Sequence, residues 1–207
     1  MEISALVRGA GATTVYITHD QAEAFALADT VGVLDGGRLV QAGTPEQVYA
    51  RPATAFVARF TGLAGELGAR VRERRQDGTV LVEPDPGGRP FLARGTVPSR
   101  RALVLIRPAG VRLCASGADD VHLTGRITDV AFRGRGYEHA VDLGGTRLTG
   151  VFADVRADRG QAVGLRLDPA GCHAFPADPQ SPPTRGPGDA ERTAVPGPGA
   201  GGGVPGR

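Results

Sequence analysis

The sequence contains no lysine, no asparagine and no tryptophan. Without lysine, the chain cannot hold a phosphate-binding loop ending in Gly-Lys-Ser/Thr, nor a lysine that forms a Schiff base with a substrate. No apolar run approaches the roughly 18 residues that cross a bilayer, and residues 1–10 are not a charged segment followed by an apolar stretch. We therefore expect no direct membrane insertion, no secretion and a cytoplasmic location.

Cysteine is also scarce, and the positive and negative charges nearly balance. Cys114 and Cys172 are too few and too far apart for a metal cluster, and we expect both to be small buried hydrophobic residues. The net charge is +2, and the 17 arginines of residues 63–175 are interleaved with 13 acidic residues. A nucleic-acid groove needs a concentrated basic stripe, so nucleic-acid binding is not expected. The sequence also shows no Ser-His-Asp set, no paired carboxylates and no metal-ligand spacing.

The residues that are present divide the chain into three stretches. Residues 1–62 mix helix and strand signals, and residues 63–175 hold many short β-like runs separated by glycine-bearing turns. In residues 176–207, 16 of 32 positions are glycine or proline. Because such a segment buries too little apolar surface to offset its chain entropy, we predict a disordered tail over 176–207.

The first stretch predicts a small α/β unit. We expect a short helix over residues 2–8, a buried β-branched strand over residues 13–18, and a largely apolar helix over residues 22–28 packed on a sheet. Asp35-Gly36-Gly37 separates two strand-like runs and is typical of a β-hairpin. Thr44-Pro45-Glu46-Gln47 is a capping box with proline at the first helical position, which predicts a helix to about residue 50. A second short helix is predicted over residues 53–60.

The second stretch is predicted to be all β. Evenly spaced short strands of this kind are typical of a small barrel or sandwich. The predicted strands lie near residues 67–74, 79–83, 90–94, 102–107, 111–114, 122–132, 137–143, 147–151 and 162–167.

The most informative single residue is His19, which follows the predicted strand over residues 13–18. Ligands collect at the carboxyl edge of a parallel sheet, and an imidazole held there can donate a hydrogen bond to a terminal phosphate or an attacking water. A histidine at the end of a strand is also compatible with a purely structural role. The pattern alone leaves both interpretations open.

A longer run carries a family resemblance. The segment TTVYITHDQAEAFALADTVGVLDGGRLVQAGTPEQVYARPATAFVARFTG, about fifty residues, resembles the end of the ATPase subunit of ATP-binding cassette (ABC) importers. In that family the histidine at this position is the switch histidine, which senses the γ-phosphate across a nucleotide-sandwiched dimer. The resemblance therefore implies a catalytic role for His19.

A second, looser resemblance covers the β-rich stretch. Val104-Leu-Ile-Arg107-Pro108, and the run from Thr124 to Tyr137, resemble the transport-associated oligonucleotide/oligosaccharide-binding-like (TOBE) domain. Together the two resemblances imply an α/β remnant of a P-loop ATPase domain over residues 1–62, then an all-β OB-like TOBE barrel over residues 63–175. Such a module regulates or dimerises subunits. Its Arg107, His122 and His139 could face a ligand, but for each we favour a solvated or hydrogen-bonded surface role.

The chain also departs from the family pattern. The family's phosphate loop, glutamine loop, Leu-Ser-Gly-Gly-Gln signature and catalytic glutamate do not occur in this sequence. We therefore expect a truncated ATP-binding subunit, from an incomplete gene model or a split gene, that does not hydrolyse ATP alone. The complete family member uses ATP and Mg²⁺ and couples hydrolysis to solute uptake, so the implied partners are transmembrane permease subunits and a second ATPase subunit at the inner face of the membrane. The alternative is a stand-alone regulatory TOBE-domain protein that binds a small ligand such as an oxyanion or a sugar.

Overall fold

The computed structural model describes residues 13–177. The helix predicted over residues 2–8 and nearly all of the predicted tail lie outside these residues. The described part contains three α-helices, α1 (Gln21–Leu27), α2 (Pro45–Ala50) and α3 (Ala55–Phe60). Its strands are β1 (Val31–Asp35), β2 (Arg38–Gly43), β3 (Gly65–Arg74), β4 (Thr79–Pro84), β5 (Phe91–Arg94), β6 (Arg101–Ile106), β7 (Val111–Cys114), β8 (Leu123–Phe132), β9 (Tyr137–Asp142), β10 (Arg147–Ala153), β11 (Ala162–Leu167) and β12 (Cys172–Pro176).

The N-terminal elements form a small unit with its own core. Strands β1 and β2 pair antiparallel around the predicted glycine turn, with a bulge between Val33 and Leu34. The predicted capping box is confirmed, because the Thr44 hydroxyl accepts from the Gln47 backbone N–H and the Gln47 side chain accepts from the Thr44 N–H. The buried cluster of this unit is Val31, Val33, Val48 and Val57.

Two predictions for this unit are wrong. Residues 13–18 do not form a strand, because a strand needs a hydrogen-bonded neighbour and the described residues supply none. Val15 and Ile17 are each 86% exposed as a result. Helix α1 does not lie buried on a sheet: none of its residues is fully buried, and only its Phe25 side packs against the valine cluster.

The β-rich part consists of two five-stranded sheets. Strands β12, β5, β4, β3 and β6 close a barrel, while β10, β9, β8, β11 and β7 form a second sheet in that order. All nine strands predicted between residues 67 and 167 are present, with bounds shifted by at most two residues. Strand β12 was not predicted, and its last residue, Pro176, shows that ordered chain extends into the first position of the predicted tail. One hydrophobic core joins both sheets, from Leu67 and Val104 in the barrel to Ile127 and Leu165 in the second sheet.

The chain passes between the two sheets at a pair of matching turns. Each turn is a Pro-Ala-Gly segment in 3-10 conformation, Pro108–Gly110 between β6 and β7 and Pro169–Gly171 between β11 and β12. The turns bond to each other reciprocally, because Arg107 N donates to Gly171 O at 2.8 Å and Asp168 N donates to Gly110 O at 2.9 Å. This contact fixes the barrel against the second sheet. No helix within residues 13–177 is long and apolar enough to cross a membrane.

Candidate functional site

The backbone on either side of His19 is tied to the first turn of α1. Asp20 caps the helix by accepting from the Glu23 N–H at 3.1 Å, and Asp20 N donates to the Thr18 hydroxyl at 2.9 Å. The Glu23 carboxylate accepts from both the Tyr16 and the Thr18 hydroxyls, at 3.0 and 3.1 Å. His19 is exposed. These contacts fix the backbone that carries His19 while its imidazole faces solvent.

The contact between Tyr16 and Glu23 also changes the pKa of the Tyr16 phenol. The hydrogen bond to Glu23, together with the negative charge of that carboxylate, raises the pKa of the Tyr16 phenol. Ionisation would remove the donated hydrogen and place two negative charges side by side. The phenol therefore stays a donor at neutral pH.

Arg107 is buried at the junction between the N-terminal unit and the barrel. Its exposed fraction is 1%. Nη2 donates to Tyr49 O at 2.9 Å and to the Thr61 hydroxyl at 2.7 Å, while Nη1 donates to Ala58 O at 3.0 Å and also to Gly62 O. The expected surface position of Arg107 is thus wrong. Its guanidinium is buried and donates hydrogen bonds to the Thr61 hydroxyl and to carbonyl oxygens at the ends of α2 and α3.

The charge of Arg107 has no carboxylate partner in this network. Its guanidinium lies 4.2 Å from the centroid of the Tyr49 ring, a cation–π contact that partly replaces hydration. Burial lowers the pKa of Arg107. Nε is the only buried side-chain nitrogen or oxygen in residues 13–177 without a hydrogen-bond partner. Arg107 therefore has a structural role: its hydrogen bonds hold the N-terminal unit against the barrel.

His139 and His122 are also structural. The surface position expected for His139 is wrong, whereas His122 is half-buried and hydrogen-bonded, which fits the role that we favoured for it. His139 is 1% exposed; its Nδ1 lies 3.2 Å from Val151 O and its Nε2 accepts from Ala157 N–H at 3.0 Å, a pattern that assigns a neutral ring with the proton on Nδ1. The half-buried His122 accepts from Leu167 N–H through Nδ1 at 3.0 Å. Burial, reinforced by the charge of Arg89, lowers the pKa of His122.

The predicted residues do not converge on one site. Arg107, His122 and His139 take part in separate hydrogen-bond networks, and none of these networks includes His19. Of the two cysteines, Cys172 is buried as expected and Cys114 is half-buried. Burial raises the pKa of the Cys172 thiol to about 12, which makes it inert at neutral pH.

One cavity on the described surface, of about 450 Å³, is a shallow groove lined by Thr128, Asp129, Asp142, Arg147 and Arg159. Its charges balance, and Asp129 already pairs with Arg159 at 2.5 Å. It therefore presents no unmatched charge to a ligand.

Another cavity, of about 180 Å³, lies between the N-terminal unit and the barrel. Its basic lining residues are Arg51 from the loop after α2, Arg94 from β5 and His173 from β12. Sequence reasoning missed this group. The sequence held one signal of a basic surface around Arg94, because residues 86–118 contain six arginines and no acidic residue.

Comparisons with known proteins bear on both parts of the chain. Residues 104–175 match the TOBE domain family model. An iron(III) import ATP-binding protein, FbpC, of Streptomyces coelicolor is 40% identical over 82% of this chain and 46% of its own length. A spermidine/putrescine import ATP-binding protein, PotA, of Nitratidesulfovibrio vulgaris is 36% identical over 72% of this chain and 42% of its own.

A third relative extends the match further. The sn-glycerol-3-phosphate import ATP-binding protein UgpC of Chromohalobacter salexigens is 38% identical over 94% of this chain and 53% of its own length. The chain thus spans about half the length of the curated relatives it matches. Over most of its residues the chain is a relative of the ATP-binding subunits of ABC importers, and it carries a TOBE domain.

Proposed function

We propose that this chain acts in the ATP-binding subunit of an ABC importer, where it contributes the switch histidine His19 and the TOBE domain. The observation that carries the proposal is the match to import ATP-binding proteins over 72–94% of the chain. Those relatives are named for iron, spermidine/putrescine and glycerol phosphate, so the proposal concerns the subunit and assigns no solute.

The proposed domain division follows the sequence. Residues 1–62 are the end of the ATPase domain, and residues 63–175 are the TOBE domain. Transmembrane permease subunits and a second ATPase subunit are the proposed partners, at the cytoplasmic face of the membrane. The small size of the valine cluster and the exposure of Val15 and Ile17 support the view that residues 13–62 need further packing partners.

The described residues do not by themselves fit ATP or Mg²⁺. No three His, Cys, Asp or Glu side chains within residues 13–177 come together as metal ligands, and the sequence has no lysine for a phosphate loop. We therefore propose that the 207-residue chain does not hydrolyse ATP alone. Its own contribution is the exposed imidazole of His19, held on a backbone fixed by Thr18 and Asp20.

A fusion protein tests this function. The part of the Streptomyces coelicolor relative that matches this chain is replaced by the chain itself, and ATP hydrolysis is measured. We expect the fusion to hydrolyse ATP, and His19→Ala to lower kcat about 100-fold, the usual size of a lost general acid or base. Asp29→Ala, an exposed residue just beyond α1, is the matched control and keeps the rate of the unsubstituted fusion.

Two outcomes count against the proposal. A His19→Ala fusion with an unchanged rate would remove the switch role of His19. A well-folded fusion without any hydrolysis would favour the second candidate, a regulatory protein that binds a small ligand. The observation behind that candidate is the basic cavity lined by Arg51, Arg94 and His173.

A further inference from the structure

Glu23 is hydrogen-bonded to residues on both sides of His19. One oxygen of its carboxylate, Oε2, accepts from the Tyr16 phenol at 3.0 Å and from the Thr18 hydroxyl at 3.1 Å. The backbone N–H of Glu23 donates to the Asp20 side chain at 3.1 Å. Glu23 therefore joins the segment before His19 to the first turn of α1.

The arrangement is a capping box with a hydroxyl inserted into it. In the usual box the side chain at the third helical position accepts directly from the backbone N–H of the N-cap residue. Here the Asp20 N–H donates to the Thr18 hydroxyl at 2.9 Å, and that hydroxyl in turn donates to Glu23. The capping box of α2, between Thr44 and Gln47, is direct. The inserted hydroxyl thus distinguishes the start of α1 from the start of α2.

The inserted hydroxyl makes His19 the central residue of a tight turn. The Asp20 N–H reaches back two residues to the Thr18 hydroxyl, a bond that serine and threonine form only weakly by themselves. Because Glu23 takes the proton of this hydroxyl, its rotation is fixed and its oxygen stays an acceptor for Asp20. The direction of the His19 side chain follows from the backbone of this turn.

The Tyr16 phenol holds the same carboxylate from a second side. Glu23 is exposed, and an exposed glutamate normally samples many rotamers. Two hydroxyl donors on one oxygen restrict that freedom. The phenol keeps its proton at neutral pH, because the hydrogen bond to Glu23 and the charge of Glu23 raise its pKa. Glu23 therefore keeps a defined position although solvent reaches it.

We propose that Glu23 is a positioning residue for His19, which it orients towards the terminal phosphate of ATP through the Thr18 hydroxyl and Asp20. This role rests on the proposed function, since it concerns His19 as the switch histidine. A misplacement of a catalytic group by about 1 Å lowers a rate by roughly 100-fold. Hydrogen bonds at the protein surface, which add little to stability, are therefore sufficient to affect catalysis.

A double-mutant cycle in the fusion protein tests the positioning role. Glu23→Ala should lower kcat for ATP hydrolysis about tenfold, the size of one lost hydrogen bond to a charged group. In a fusion that already carries His19→Ala, the same substitution should leave the residual rate unchanged, because the group that Glu23 positions is absent. A merely structural role would lower the rate by the same factor in both backgrounds.

Glu46→Ala is the matched control. Glu46 is also an exposed glutamate in the first turn of a helix, so its loss removes the same favourable charge from the start of α2. This variant should keep the rate of the unsubstituted fusion. Glu23→Gln retains an oxygen that accepts from the hydroxyls, and it should lower kcat less than Glu23→Ala does.

Thr18→Val tests the inserted hydroxyl itself. It should lower kcat as much as Glu23→Ala, and the two substitutions together should lower kcat no further than either one alone, because both break the same chain of hydrogen bonds. Additive losses from Thr18→Val and Glu23→Ala would contradict a single chain of contacts that acts on His19.

Amide hydrogen exchange in the full 207-residue chain gives a readout that does not depend on hydrolysis. The Asp20 amide, which donates to Thr18, should lose protection in Glu23→Ala and keep it in Glu46→Ala. Equal protection of this amide in the two variants would overturn the link from Glu23 to the turn around His19.

The hydrolysis rates separate the positioning role from the proposed function. If His19→Ala lowers the rate and Glu23→Ala does not, or if Glu23→Ala lowers it equally with and without His19, the positioning role is overturned and the switch role stands. If His19→Ala leaves the rate unchanged, the proposed function is overturned and the positioning role falls with it.

Discussion

The guanidinium of Arg107 lies over the ring of Tyr49, 4.2 Å from its centroid, although the two residues are 58 positions apart in sequence. The same side chain bonds to the carbonyl of Tyr49. One residue of the barrel thus holds both the ring and the backbone at the end of α2. Since four donated hydrogen bonds converge here, the stability of the junction depends strongly on Arg107.

Arg107→Met should lower the free energy of unfolding by about 2–4 kcal/mol, because the carbonyls of Tyr49, Ala58 and Gly62 lose their buried donors. Urea unfolding followed by circular dichroism measures this, since the chain has no tryptophan to report by fluorescence. Arg112→Met on β7 is the control, and an exposed substitution there should change stability by less than about 0.5 kcal/mol. Equal losses of stability in the two variants would show that the hydrogen bonds of Arg107 do not stabilise the junction.

The close packing of the two Pro-Ala-Gly turns predicts that Gly171 tolerates alanine much less well than Gly117 does. A Cβ on Gly171 would lie 2.4 Å from the Cα of Gly110, so Gly171→Ala should force the turns apart and destabilise the chain by about 2–4 kcal/mol. Gly117→Ala is the control, because nothing lies within 4 Å of the added carbon. Thermal unfolding of both variants checks the contrast. A Gly171→Ala chain as stable as the Gly117→Ala chain would contradict the close approach.

The β-rich fold was largely predictable because its strands carry local signals. Strands β7 and β11 have the predicted bounds, since β-branched and apolar runs end there at glycine and proline turns. Strand β12 was missed because it is short and owes its conformation to β5 and β6, far upstream. The division into a closed barrel and a second sheet depends on such non-local pairing, which no local pattern encodes.

The site was less predictable than the fold. Charged and polar side chains are usually exposed, so the sequence favoured surface positions for Arg107 and His139. Their burial depends on acceptors and donors that only the folded chain supplies, such as Tyr49 O for Arg107 and Ala157 N–H for His139. The approach of Arg94 to His173 likewise follows from strand register.

The exposure of residues 15–17 predicts which bond a protease cuts first. Chymotrypsin should cut after Tyr16, which is 51% exposed, well before it cuts after Phe91, which is 3% exposed in the barrel. The physical reason is that cleavage in the barrel requires global opening, whereas an exposed segment outside any strand is accessible at once. Mass spectrometry of timed digests identifies the first cut. Protection at Tyr16 equal to that at Phe91 would contradict the exposed position of this segment.

His173 predicts how stability depends on pH. Its pKa is about 4 in the folded chain and about 6.5 in the unfolded chain, so the unfolded state binds more protons between these values. The contribution is fully present above pH 6.5 and is lost as the pH falls towards 4, to a total of about 3 kcal/mol. Urea unfolding at pH 7 and pH 4.5 should therefore show a drop in stability that is smaller by about 2 kcal/mol in His173→Gln than in the unsubstituted chain. His122 shifts in the same direction but is present in both proteins, so it cancels in the comparison. The same pH dependence in both proteins would show that the His173 ring is not buried as a neutral group.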